Sequence, residues 1–334
     1  MASGLRVAVV EPTDLIGREL VKILEERNFP VIDLILFGGR RSIGSRVEFR
    51  GEDIPVKQLD GLSFKGVELV FFASDQALSA EFAGRAKASG AVSIDLTSRF
   101  AMHDSVPLIV PEINAKRIKD HQGIIASPRS ATIQLVLPLF PIGRSARIKR
   151  IIVSTYEAVS DSGERALDEL TSQVRSLFSF REALCETYPH QIAFNALPHI
   201  GSFTPDAYTE EEHAIMDETK KIFEDKALRV CATSVRVPVF YSHGASVNFE
   251  TARKITPGEI REILGRSLGV QVEDDLGSNT YPTPIHAAGS DICLVGRIRQ
   301  DLSSDNGIAL WTACDNIRKG SALNAVQIAE HLLP

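Results

Sequence analysis

Residues 5–26 read LRVAVVEPTDLIGRELVKILEE. The run from Leu5 to Val10 is apolar and short enough for a buried strand. After a turn, Leu20, Ile23 and Leu24 recur at helix spacing, with Glu and Lys between them. A buried strand, a tight turn and an amphipathic helix, in that order, begin a dinucleotide-binding fold. The pattern continues outward: Ile32 to Phe37 is apolar, residues 38–41 form a basic, glycine-containing turn, and Val67 to Ala73 is apolar again. A helix is expected over about 79–88 and a strand over 92–96. Strands alternating with helices imply a parallel sheet with right-handed crossovers.

Beyond about Leu137 the alternation stops. Strands are expected at 147–155, 230–238, 246–251 and 292–298, helices at 163–177 and 257–268, and an amphipathic segment at 321–332. This half reads as α+β. The chain has 334 residues, too many for one hydrophobic core, so two domains are expected. Apolar residues at 44% and charged residues at 24% give an ordinary globular mix, with core enough to need no covalent staples. The net charge of −6 disfavours nucleic acid and anionic membrane surfaces as partners. Cys185, Cys231, Cys293 and Cys314 are scattered, which fits a reduced interior. Cys231 and Cys293 fall at expected strands, where a thiol most often acts as a small buried hydrophobe. The start MASGLRVAVV lacks a signal-peptide pattern, and no apolar run nears the ~20 residues that span a bilayer. A cytoplasmic protein is expected.

A dinucleotide loop uses glycines for a tight turn, close approach to the pyrophosphate and close helix packing. Here only Gly17 keeps a glycine position; Glu11 and Asp14 fill the other two. On the usual path both acids face the phosphates, and two charges about 4 Å apart interact by roughly 4 kcal/mol at an effective dielectric near 20. Pro12 also removes a backbone donor. The plainer reading is a strand–turn–helix junction in which Asp14 caps the helix. Arg41 and Ser42, at the end of the second strand, stand where an NADP enzyme places donors for the 2′-phosphate. With Thr13 and Gly17 they are candidate cofactor residues.

Several stretches resemble one family: STYEAVSDSG (154–163), AFNALPHIGSF (193–203), RVPVFYSHGASVNFE (236–250), YPTPIHAAGSD (281–291), VGRIRQDLSS (295–304) and LWTACDNIRKGSALNAVQIAE (310–330). Together with VPLIVPEINA (106–115) and PRSATIQLVLPL (128–139), they are similar in order to bacterial aspartate-semialdehyde dehydrogenases over nearly the whole chain. The resemblance implies an α/β chain of two parts. One is a Rossmann-like NAD(P)-binding domain (1–132 plus 316–334), the other an α+β dimerisation and substrate domain (133–315). It also implies a homodimer or a tetramer, of which a homodimer is expected, and NADP as cofactor, with no metal. The family reduces aspartyl phosphate through a cysteine thioester, with a histidine as acid/base, a glutamine orienting the intermediate and an arginine holding the substrate carboxylate.

Carried over, that pattern implies His243 as acid/base and Arg236, seven residues earlier, as the carboxylate holder. The cysteine position in PRSAT is Ser130, and the glutamine position after S-T-Y is Glu157. The phosphate-binding arginine position after Phe100 is Ala101, with Arg99 on the other side. Glu211 keeps the acid of a substrate-binding pair whose lysine is replaced by Ala214. Asn316 and Lys319 correspond to residues near the cofactor, and the glycine-rich stretch near the nicotinamide is ASDQ (73–76), with Asp75 at a glycine position.

A serine hydroxyl has no anion population comparable to a cysteine thiolate, and the change typically costs ~10³-fold or more. An ionised Glu157 would oppose an oxyanion, and Arg236 could instead form a structural salt bridge with it. The expectation is therefore a catalytically degenerate homologue, a dimeric binding protein of unknown partner. The alternative is a working NADP-dependent oxidoreductase of amino-acid biosynthesis.

Overall fold

The computed structural model describes residues 4–39, 41–60, 63–73 and 75–333. The N-terminal apolar run forms β1 (Leu5–Val10), in which Val7, Ala8, Val9 and Val10 are fully buried. A strand covered on both faces needs such a run. A turn leads to α1 (Leu15–Glu26), which buries Leu20, Val21, Ile23 and Leu24 along one stripe. Then follow β2 (Val31–Gly38), β3 (Arg46–Phe49), β4 (Glu52–Gln58), β5 (Leu69–Phe72), α2 (Gln76–Ala88), β6 (Val92–Asp95), a short α3 (Pro111–Asn114) and β7 (Ile124–Ala126). The strands lie in the order β3-β4-β2-β1-β5-β6-β7, parallel except for the β3–β4 hairpin. The chain runs outward from β1 to β2 on one side and to β5 on the other. The C-terminal end of β1 is therefore a topological switch point, where such sheets bind ligands.

The next segment begins with α4 (Ser130–Ala146), buried along most of its length. It continues through β8 (Ile148–Glu157), α5 (Glu164–Phe178), α6 (Glu210–Phe223), β9 (Arg229–Arg236), β10 (His243–Thr251), α7 (Pro257–Leu264), β11 (Val270–Val272), α8 (Pro284–Ala287), β12 (Cys293–Gln300) and β13 (Gly307–Cys314). These strands form a mixed sheet in the order β11-β12-β13-β10-β8-β9, with α4 packed against it. The chain ends in α9 (Leu323–Glu330). By contacts it divides into one unit of Met1–Arg129 with Ser321–Pro334 and another of Ser130–Gly320. In the first unit, Leu20, Ile23 and Leu24 of α1 and Leu323, Val326 and Ile328 of α9 join one core cluster. A second cluster holds Phe64, Phe72 and Phe82.

Cys293 is buried, as expected, but Cys231 is exposed, because it lies on the open face of β9, opposite the buried Ala232 and Ser234. Among the described residues no helix is long and apolar enough to cross a membrane.

Candidate functional site

Three neighbouring strands of the second unit end at one place. The parallel strands β8 and β9 finish on the paired residues Glu157 and Arg236. The antiparallel strand β10 starts there with His243, beside the Gly244–Tyr156 pair. Ser130 begins α4, and its Oγ lies 3.1 Å from His243 Nε2. Gly320 lets the chain pass this point, since a Cβ there would sit 2.9 Å from the Ser130 Cβ. The sequence thus brings Ser130, Glu157, Arg236 and His243 together, with Glu211, in the first turn of α6, among the charges acting on Glu157.

The imidazole of His243 is buried, and its Nδ1 accepts the Ala158 N–H at 3.0 Å. A backbone N–H aimed at the ring needs a lone pair there. Neutral His243 therefore carries its proton on Nε2, facing Ser130. Burial lowers the His243 pKa and so favours the neutral form, against the opposing pull of Asp161. The Nε2–H donates and the Ser130 oxygen accepts.

Arg236 is buried; its Nη1 donates to Ala158 O at 2.6 Å and its Nη2 to Asp161 Oδ2 at 3.0 Å. The expected Arg236–Glu157 salt bridge is present at 3.9 Å from Nη1, but Asp161 is the closer partner. Asp161 also approaches His243 Nε2, at 3.8 Å. Burial works to raise the Asp161 carboxyl, but Arg236 and His243 outweigh it and hold it well below the usual carboxylate range. Glu157 goes the other way. Burial, then the Glu211 and Asp161 carboxyls, raise it to about 8, against the opposing effects of Arg236 and the Thr155 hydroxyl. The sequence reading missed Asp161, although it lies within STYEAVSDSG, four residues after Glu157 in the turn that follows β8. Glu157, Asp161 and His243 offer ligand atoms within 4.8 Å of one another. The guanidinium among them already supplies the positive charge a metal ion would bring.

Asn316 is buried within this unit: its Oδ1 accepts the Ser242 N–H at 2.9 Å, and its Nδ2 donates to Ser160 Oγ at 3.1 Å. It ties the turn after β8 to the residue before His243. Lys319 is fully buried. Arg99, in the first unit, is exposed, 5.8 Å from the centre of the Phe100 ring.

In the first unit the turn after β1 keeps a glycine-type path without the glycine. Glu11 has φ +60°, in the left-handed region that favours glycine. A Cβ on Gly17 would lie 2.1 Å from Glu11 O, so α1 reaches the turn only because residue 17 has no side chain. The Glu11 carboxylate turns to the end of β2, where it accepts from the Gly39 N–H and, at 2.8 Å, from the Ser42 hydroxyl. The backbone thus keeps the turn while the Glu11 side chain leaves it, which corrects the expectation that this acid faces the pyrophosphate; the Ser42 hydroxyl, expected as a cofactor donor, has Glu11 as a partner. Asp14 stands at the N-cap position of α1 but makes no side-chain cap, which corrects the capping reading. Asp75 does cap a helix: it accepts the Leu78 N–H of α2 at 2.9 Å. Thr13 is half-buried in the turn and Arg41 is exposed. Arg40 and Ser74 lie outside the described residues.

A dinucleotide fits this turn in its backbone: the switch point, the close approach at Gly17 and the uncapped start of α1 suit a pyrophosphate. The carboxylate at the end of β2 suits a ribose diol and repels a 2′-phosphate.

Comparison with known proteins agrees with this architecture. Residues 6–121 match the family described as semialdehyde dehydrogenase, NAD binding domain, and residues 139–319 its dimerisation domain. An aspartate-semialdehyde dehydrogenase of Aquifex aeolicus is 46% identical over 334 residues, covering 99% of this chain and 98% of the relative. One of Legionella pneumophila is 44% identical over 335 residues, covering 99% and 96%. The crystal structure of aspartate semialdehyde dehydrogenase II from Vibrio cholerae superposes with a TM-score of 0.96 at 39% identity, covering 98% of each chain. With both domains matched and such identity along its whole length, the chain belongs to the semialdehyde dehydrogenase family, among homologues of the aspartate-semialdehyde dehydrogenases.

Proposed function

We propose that this chain is an aspartate-semialdehyde dehydrogenase homologue whose acyl-transfer route is closed, retained in the cytoplasm as a dimeric binding protein. The observation that carries the reading is the Ala158 N–H held on His243 Nδ1. To attack an acyl carbon, Ser130 must lose its proton to a base. The nitrogen facing it already bears one, and moving that proton to Nδ1 would set two N–H groups against each other. A cysteine at this position escapes the problem. Its thiol ionises near pH 8.5 without a strong base, and an Nε2–H stabilises the thiolate. Asp161 adds a second obstacle by occupying Arg236, the residue that family resemblance gives to a substrate carboxylate.

The match to a dimerisation domain supports a homodimer, expected by light scattering at twice 36.5 kDa. The test of function is turnover of aspartate semialdehyde with phosphate and either NAD or NADP. The wild type is expected to stay at background. Turnover in the ordinary enzyme range, roughly 1–10³ per second, would overturn the reading.

A second reading, an NAD(P)-dependent oxidoreductase of amino-acid biosynthesis, is favoured by the dinucleotide turn. Thr13, Gly17 and the start of α1 would hold the pyrophosphate, and Glu11 the adenosine ribose. The nicotinamide, when bound, supplies hydride exchange. Within the second unit, His243 would hold a proton on Nε2 and Arg236 would orient an acid group once Asp161 moved aside.

A further inference from the structure

We infer that Glu157 stands in this site as a neutral carboxylic acid and offers its hydroxyl as the hydrogen-bond donor that a glutamine amide would offer. An acyl oxygen at position 130 would then still find a donor. The inference rests on the proposed reading of this site as an acyl-transfer site whose nucleophile position is Ser130.

Arg236 from β9 lies within ion-pair distance of two carboxyls, Glu157 at the end of β8 and Asp161 in the following turn, while the Glu211 carboxyl from α6 adds a further negative charge acting on Glu157. Asp161 wins by geometry, at 3.0 Å against 3.9 Å for Glu157. The second Arg236 contact, from Nη1, goes to the Ala158 carbonyl. His243, the titratable group from β10, is neutral with its Nδ1 already engaged, so it brings no charge to Glu157.

An ionised carboxylate can accept about four hydrogen bonds. Glu157 is 1% exposed and receives one, from the Thr155 hydroxyl to Oε1 at 2.8 Å. A buried anion so poorly served takes up a proton instead. The acid and the amide have the same shape, and the protonated oxygen donates where the amide nitrogen would. The carboxyl also faces the site, with a ligand atom within 4.8 Å of the His243 ring nitrogen. An acid at this position therefore need not oppose an oxyanion.

Infrared difference spectroscopy between the wild type and Glu157→Gln tests this without any turnover. At pH 7 the wild type should show the C=O stretch of a protonated carboxylic acid that the variant lacks, and the band should fade as pH rises through about 8. Absence of that band at pH 7 overturns the inference. Asp161→Asn should release Arg236 to Glu157 and weaken the band; an unchanged band would show that Arg236 is not shared, and would also overturn it.

Activity gives a second measure. Ser130→Cys alone should turn over aspartate semialdehyde within about tenfold of Ser130→Cys with Glu157→Gln at pH 7, a gap of about 1.4 kcal/mol. It should fall behind the double variant above pH 8. A silent single variant beside an active double variant overturns the inference. An active wild type instead overturns the proposed function, while the infrared band still decides the state of Glu157.

Discussion

The hydrogen bond between Ser130 Oγ and His243 Nε2 can run in either direction, and the far side of the ring sets which. The Ala158 N–H claims Nδ1, so the serine accepts and stays a hydroxyl. Glu157 and Asp161 divide in the same way over one guanidinium. Their split has a pH signature. Glu157 is raised from 4.5 to about 8, so the folded protein binds its proton more tightly than the unfolded chain does. The stability this gives is full below pH 4.5 and is lost as pH rises towards 8. Relative to Glu157→Gln, the wild type should lose up to about 1.4 kcal/mol per pH unit in that window, read from denaturant midpoints. A flat difference would mean that Glu157 titrates normally. The positions of Ser130, Glu157, Arg236 and His243 were legible in the sequence because the family resemblance carried them onto quoted stretches of this chain. Their protonation states were not legible. A tautomer and a shared cation depend on a backbone N–H and on an aspartate that no periodicity marks.

The turn between β1 and α1 was half legible. Gly17 and the acid at residue 11 could be read, but not where that acid would point. Because Glu11 reaches across to Gly39 and Ser42, the purified chain should bind NADH more tightly than NADPH in calorimetric titration. Glu11→Gly relieves a left-handed residue that costs roughly 1–2 kcal/mol, and it frees both donors. It should raise NADPH affinity at least tenfold, and equal affinities in the wild type would refute the assignment. Other elements escaped for separate reasons. Pro138 and Pro141 argue against the helix that α4 nevertheless forms. Among β3 and β4, only Phe49 and Val56 are buried, too few to show alternation. α6 carried a readable signal in the Thr209–Glu212 capping box. Thr209→Ala should lower the unfolding free energy by about 1 kcal/mol, read from the denaturant midpoint.

At the scale of the molecule, the chain leaves its first unit after Arg129 and returns at Ser321. The expectation that the C-terminal segment closes the dinucleotide domain follows from the family resemblance; its amphipathic pattern marks only a helix with one buried face. Leu323, Val326 and Ile328 of α9 are at most 1% exposed in the core shared with α1, and each is worth about 1.5–3 kcal/mol. Against a total stability of roughly 5–15 kcal/mol, deletion of residues 321–334 should leave the first unit unfolded. Hydrogen exchange at β1 and α1 reads this directly, and protection equal to the full chain would contradict it. The Asp161–Arg236 contact has a pharmacological consequence too. A compound built to grip the arginine of an active relative through a carboxylate would find that seat already taken here. On the proposed reading, in a cell holding both proteins, such a compound would be taken up mainly by the relative.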